Sequence, residues 1–214
     1  MMVFSYSVFA KGGAVMWMLV LLGLAAVVIF VERALFLHRA QINSTEFLNG
    51  IKNLLGKDRL KEALTLGEET PGPVAHVVKA GLRHATDSEP ALRFAVQEAA
   101  LTEIPILERR ISALAAIAQI APLFGLLGTL LGMIRTFWYF NQGGNYATPV
   151  VLAGGMWEAL LTAAAGLAIA IPAHLGRYFL TGRVRALVQD MEWAGNELMR
   201  FLLTDFRPGR PDKK

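Results

Sequence analysis

The chain has 214 residues, 54% of them hydrophobic and only 18% charged, with no cysteine and a formal net charge of +4. So little charge in so apolar a chain points to a membrane protein rather than a soluble domain. The lack of cysteine excludes a disulfide framework, thiolate metal ligation and a cysteine nucleophile.

Residues 1–13 carry one charge, Lys11, and lack the basic run that opens a secretory signal. The apolar stretch behind them therefore reads as a retained span. It runs from Ala14 to Val31 without a charge, and with its interfacial end is assigned to 14–36. The second span is 113–134, interrupted only by Gln119 and Thr129. The third is 150–176, with Glu158 as its single charge before His174 and Arg177. At about 1.5 Å per residue, each stretch can cross a hydrocarbon core of ~30 Å. Backbone groups in lipid need partners within their own segment, so the spans are helices. The predicted class is all-α, an integral membrane protein with three transmembrane helices and long helices extending into the cytoplasm.

Orientation follows from Lys and Arg placement. Eleven of these residues lie between the first two spans and eight follow the third, against only Lys11 and Arg135 on the other side. This predicts a periplasmic N-terminus, a cytoplasmic helical loop at 37–112, a periplasmic loop at 135–149 and a cytoplasmic helix and tail at 177–214. Acidic residues nearly balance the basic ones in the long loop, so no nucleic-acid partner is expected.

Within that loop, Ser44 is expected to cap a helix with Phe47, Leu48, Ile51, Leu54 and Leu55 on its apolar face. Asp58 should cap a second helix ending near Gly67, and Pro71-Gly72-Pro73 stops regular structure. A third helix is expected over roughly 74–85. A fourth starts at Asp87-Ser88-Glu89-Pro90 and runs toward the second span, with Pro105 expected to kink or interrupt it. Beyond the third span, Leu180, Val184, Leu187, Met191, Ala194, Leu198 and Phe201 alternate steps of four and three, a seam for another helix. Its partner is either the chain's own loop helices or another subunit. The Pro-, Gly- and charge-rich tail from Arg207 is expected to be disordered.

Glu158 is the focus of the functional reading. An acid in the membrane costs a few kcal/mol and normally faces a protein interior or a water-filled cavity. It lies roughly 12 Å below the outer end of its helix at helical rise, on a face with Gly155, Thr162, Ala165, Ile169, Pro172 and Gly176. The second span has a matching stripe of Ala115, Ala118, Pro122, Gly125, Thr129, Gly132 and Thr136, and Gly128 and Gly132 form a GxxxG pair. Thr129 and Glu158 fall at similar depth in antiparallel helices and are expected to face one another or a shared lumen. Glu158, Thr129 and Thr162 are thus candidates for an ion path, and Pro122, Gly125, Gly128, Gly132, Gly166 and Pro172 for helix packing. The alternative is structural: a hydrogen-bonded glutamate, and threonines that bond the carbonyl one turn back.

Other residues carry less. His174 reads as an interfacial residue, and His38, His76 and His84 lack metal-ligand spacing. Trp17, Trp138, Tyr139 and Trp157 resemble interfacial anchors. There is no phosphate loop, nucleophile–base pair or zinc motif, so neither an enzyme nor a cofactor or metal is expected.

The run APLFGLLGTLLGMIRTF (Ala121–Phe137) resembles the second transmembrane segment of the ExbB/TolQ/MotA family of ion-driven motor subunits, and LERRISALAAIAQI leads into it as in those proteins. EALLTAAAGLAIAIPAHL (Glu158–Leu175) resembles the third segment of the ExbB and TolQ branch. The resemblance implies a homo-oligomer of the bacterial inner membrane, a pentamer, around the helices of a single-span ExbD- or TolR-like partner. That partner would carry a membrane aspartate as the main proton site, and a TonB- or TolA-like protein would convey the work to the outer membrane. Glu158 matches the family glutamate of the third helix and Thr129 the threonine of the second. The MotA branch lacks this glutamate, which argues against a flagellar stator. One departure stands out: many ExbB and TolQ proteins have a threonine five residues after the glutamate, where this chain has Ala163. Thr162, one step earlier, points to a different face.

Overall fold

The computed structural model describes residues 13–142, 149–204 and Phe206, and every regular element among them is an α-helix. In chain order these are α1 (Gly13–Ala40), α2 (Ser44–Gly56), α3 (Leu60–Glu69), α4 (Pro73–Arg83), α5 (Glu89–Glu108), α6 (Ile111–Gln142) and α7 (Pro149–Thr204). Three helical segments, within α1, α6 and α7, are long and apolar enough to cross a membrane. The expected all-α class, with three helices able to cross a membrane, is therefore present.

The chain forms two compact units. One holds the described residues up to Arg33 together with those from Arg110 to Phe179; the other holds Ala34–Arg109 and the described residues from Leu180.

In the first unit the three spans turn small side chains inward. Leu19, Ala121 and Ala170 are buried together, with Val15, Phe124, Ala165 and Ile169 packed around them. Leu21, Leu24, Val28, Leu123, Leu126, Ile134, Leu160 and Ile171 point outward. So large an apolar surface would be an aggregation liability in water, but it is what hydrocarbon solvates. Lipid offers no hydrophobic drive for one helix to join another, so van der Waals fit at small residues has to hold the spans together.

The second unit follows water rules. Leu180, Val184, Leu187, Met191, Ala194 and Leu198 on α7 are all at most 3% exposed. A methyl group on Gly195 would stand 2.8 Å from Val96 of α5 and 3.3 Å from Val77 of α4, and one on Gly81 would meet Leu198 at 2.8 Å. The seam is therefore occupied by the chain's own loop helices. Phe201 is only half-buried and carries Lys52 Nζ 5.9 Å above its ring. Lys52 also pairs with Glu197 at 2.5 Å, tying α2 to α7, while Lys79 and Arg83 of α4 hold Glu68 of α3.

Several local expectations need correction. Ser44 is the first helical residue rather than the cap; Asn43 accepts the Glu46 amide and donates to its carboxylate, a reciprocal cap. Asp58 adopts a left-handed conformation (φ 57°), which Asp tolerates, and Arg59 takes the N-cap position without a side-chain bond. Gly72 is required before α4, because its φ of 123° suits no L side chain and a Cβ there would come 3.0 Å from Ala40 O. Pro105 lies inside α5, which runs three residues past it to Glu108. The break toward α6 comes at Arg109–Arg110, where Arg110 is left-handed (φ 64°) and pairs with Glu32. Helix α6 continues past Ile134 to Gln142, so the first residues of the expected 135–149 loop are helical. Residues 143–148 and the tail from Arg207 lie outside the described residues.

Lysine and arginine partners hold two carboxylates of the second unit below their usual range: Lys52, then Arg200, act on Glu197, and Lys79, then Arg83, on Glu68. A group whose folded pKa is lowered stabilises fully above its unfolded value, and that contribution is lost as pH falls through the folded one. We expect the melting temperature of the purified protein to drop from about pH 4.5 downward. Glu197→Gln should lower it near pH 7 and flatten the acid limb, as thermal melts across pH 3–7 would show.

A threonine-bridged contact between the second and third spans

Helices α6 and α7 run antiparallel and meet along glycines. The pairs are Thr136 with Gly155, Gly132 with Ala159, Gly128 with Thr162, Gly125 with the backbone at Thr162 and Ala163, and Ala121 with Gly166. The last pair is backbone on backbone: a Cβ on Gly166 would lie 2.7 Å from Ala121 O and 3.0 Å from Gly125 Cα. A methyl on Gly155 would overlap Thr136 Oγ1. Both glycines of the GxxxG pair are used, Gly128 receiving the Thr162 side chain and Gly132 that of Ala159.

Two hydroxyls converge inside this contact. Thr162, 2% exposed, donates to Ala159 O at 2.8 Å on its own helix. Thr129 lies within reach of Gly125 O (3.0 Å) on its own helix and of Ala159 O (3.2 Å) across the contact. A hydroxyl has one proton, so Thr129 shares it or alternates between the two, while Ala159 O has lone pairs for both threonines. The threonines thus bond one turn back, and Thr129 adds a bridge between spans. Thr136 repeats the one-turn bond, to Gly132 O at 2.8 Å.

Glu158 is next to that carbonyl but leaves the contact. Its side chain is 27% exposed and approaches Arg135 at 3.8 Å, an ion contact too long for a hydrogen bond. Thr129 and Glu158 are therefore brought to adjacent positions, with the hydroxyl on the Ala159 backbone rather than on the carboxylate. Of the packing candidates, Gly125, Gly128, Gly132 and Gly166 lie in the α6–α7 contact, Pro122 is half-buried on α6, and Pro172 lies instead beside α1. Sequence reasoning missed Arg135, taken for the first residue of a loop. The signal was present: the apolar run Phe137-Trp138-Tyr139-Phe140 continues the helix and sets Arg135 three residues after Gly132. Among the described residues no cluster of His, Asp and Glu could hold a metal ion.

Residues 69–193, which include this whole contact, match the model of the MotA/TolQ/ExbB proton channel family. The chain is 34% identical over 78% of its length to biopolymer transport protein ExbB-like 1 of Synechocystis, covering 66% of that protein. It is 24% identical over 86% of its length to an ExbB homolog of Methanothermobacter thermautotrophicus, covering 65% of it. It is also 41% identical over 41% of its length to the Tol-Pal system protein TolQ of Haemophilus influenzae, covering 38% of that protein.

The glycine contact makes a direct prediction. Gly166→Leu should destabilise the protein in detergent by about 1–3 kcal/mol through overpacking. Gly154→Ala, whose new methyl meets nothing within 4 Å, should be neutral or stabilise by up to ~1 kcal/mol. Thermal unfolding followed by tryptophan fluorescence compares the two.

Proposed function

Because this chain belongs to the MotA/TolQ/ExbB proton channel family, we propose that it is a proton-conducting motor subunit of the ExbB type. With an ExbD-like single-span partner, it couples the proton motive force to TonB-dependent transport across the outer membrane. In this reading it is a multi-pass protein of the bacterial inner membrane, with its N-terminus periplasmic and its C-terminus cytoplasmic. It assembles as a homopentamer around the partner's helices.

The observation that carries the reading is that Thr129 and Thr162 both bond the carbonyl of Ala159, the residue next to Glu158, whose carboxylate lies at the margin of the contact near Arg135. A carboxylate can take up and release a proton. The two hydroxyls on the adjacent residue's carbonyl can each donate and accept a hydrogen bond, which suits them to a relay that Glu158 joins from the margin. The main proton carrier is assigned to the partner's aspartate, and Glu158 shapes and tunes the path. A TolQ-like role in envelope integrity is favoured by the similarity to the Haemophilus protein. Complementation of strains lacking one system or the other distinguishes the two.

The test is proton flux in vesicles holding the complex with its single-span partner. Glu158→Ala and Glu158→Gln are expected to cut flux by about tenfold or more, below the ~10²–10⁴ of a full acid–base group because the main carrier is the partner's aspartate. Thr129→Val should reduce flux with little loss of stability, since cross-helix bonds of this kind average ~0.6 kcal/mol. Normal flux through normally assembled Glu158→Ala and Glu158→Gln complexes would end the ion-path reading. Loss of assembly in both would favour a scaffold role.

A further inference from the structure

Helix α1 meets α7 differently from α6. A methyl on Gly23 would stand 3.3 Å from Ile169, and one on Gly176 would stand 2.9 Å from Phe30. Each helix thus offers a glycine to a large side chain of the other, at two places seven residues apart on both. Between these clamps the small side chains of Ala26 and Ala173 line the space, and Leu114 of α6 contributes to the wall. The result is a slot of about 610 Å³, open along one side and lined almost wholly by apolar atoms.

We propose that this slot holds one acyl chain of an anionic glycerophospholipid, with the phosphate at Arg177. The volume is about four times that of the ~150 Å³ apolar cavity that admits a benzene ring, room for one long chain. The clamps lie only about 10 Å apart along the helices, whereas a helix with its side chains is ~10–12 Å thick. A helix of a second copy can lie across the mouth but cannot enter, while a flexible hydrocarbon chain can. Water gains nothing there, because apolar walls give it no hydrogen-bond partners.

Charge identifies the headgroup. Phe30, Leu114 and Gly176 mark one end of the slot, and in sequence they are followed or preceded within four residues by Arg33, Arg110 and Arg177. Glu32 is the one carboxylate in these stretches, and Arg110 holds it. Arg177, directly after Gly176, makes no ion pair among the described residues. Basic positions at the membrane edge between helices attract anionic headgroups. Occupancy of the slot would fill the space between α1 and α7 with a fluid chain, with no demand on Glu158.

The experiment counts phospholipid retained by the purified full chain after exchange in vesicles of equal phosphatidylglycerol and phosphatidylcholine, by native mass spectrometry. The wild type is expected to keep phosphatidylglycerol through detergent washing. Ala173→Phe, which fills the slot, should lower retention by about tenfold, the effect of excluding a few methylenes. Ala26→Leu does the same from the other wall and guards against misfolding of the first variant. Arg177→Gln should keep the chain bound but lower the preference for phosphatidylglycerol by about fivefold, the factor for one cation at an anionic surface. Glu158→Gln should leave retention unchanged, which separates this proposal from the ion path. Wild-type retention in both slot-filling variants overturns it. So does efficient disulfide formation between copies carrying Val27→Cys, the sole thiol at the rim, because a second copy would then cover the slot.

Discussion

The architecture of the membrane unit depends on how closely two backbones approach, Gly166 of α7 against Ala121 and Gly125 of α6. In water, burying leucines would join two helices. In hydrocarbon that gain vanishes, and what remains is short-range attraction, which is large only when surfaces touch. Glycine lets them touch. Once the backbones are this near, Thr129 is within reach of a carbonyl on the opposite helix. That bond in turn depends on the glycines at 125 and 128, since any side chain there would push Thr162 and its carbonyl away. Packing and polar bridging are thus one device.

The same closeness explains where Glu158 is found. A charge inside the contact would have to be stripped of every neighbour but its immediate partners, at a cost of several kcal/mol. The contact therefore admits hydroxyls, which find carbonyls on a helix anywhere, and leaves the carboxylate at its margin with Arg135. A group that exchanges protons must be reachable, and the margin of a dry contact is reachable while its middle is not. Thr162 belongs to the middle: nearly inaccessible, it faces Gly128. Ala163 lies with its backbone against Gly125. The one hydroxyl of this stretch is consequently turned toward α6.

Much of this was legible in the sequence, for reasons that differ by residue. The spans and the α7 seam were readable because hydrophobic period and length are local properties. Gly128 and Gly132 were readable because small-xxx-small spacing has one common use in membranes. The partner of the Leu180–Leu198 seam was not, since period says that a face is buried but not by what; α4 and α5 supply it. Caps failed at Ser44 and Asp58 for a related reason. Asn43 stood one residue earlier and offered a reciprocal bond with Glu46. Asp58 spent its conformational freedom on a left-handed turn. Arg135 was hidden by its charge, because a cation next to a span reads as the start of a loop even when the apolar run resumes behind it.

Helix α7 uses its small residues in two unequal ways, and the difference has mechanical meaning. Toward α6, Gly155, Ala159, Thr162 and Gly166 meet a partner at every turn, so no turn can shift without a clash or a lost bond. Toward α1, Ala170 packs with Leu19, Ile169 meets Gly23 and Gly176 meets Phe30, and beside these contacts runs the apolar slot. Packed surfaces resist displacement because their potential is steep at contact, whereas a slot holding a fluid hydrocarbon chain gives way by small amounts at less cost. Strain imposed on α7 will therefore be taken up on its α1 side, and the geometry around Ala159 O will be preserved. Under the proposed proton-conducting function, a subunit that keeps Glu158 in register while its surroundings move needs this division. The glycines provide it by where they find partners rather than by how many there are.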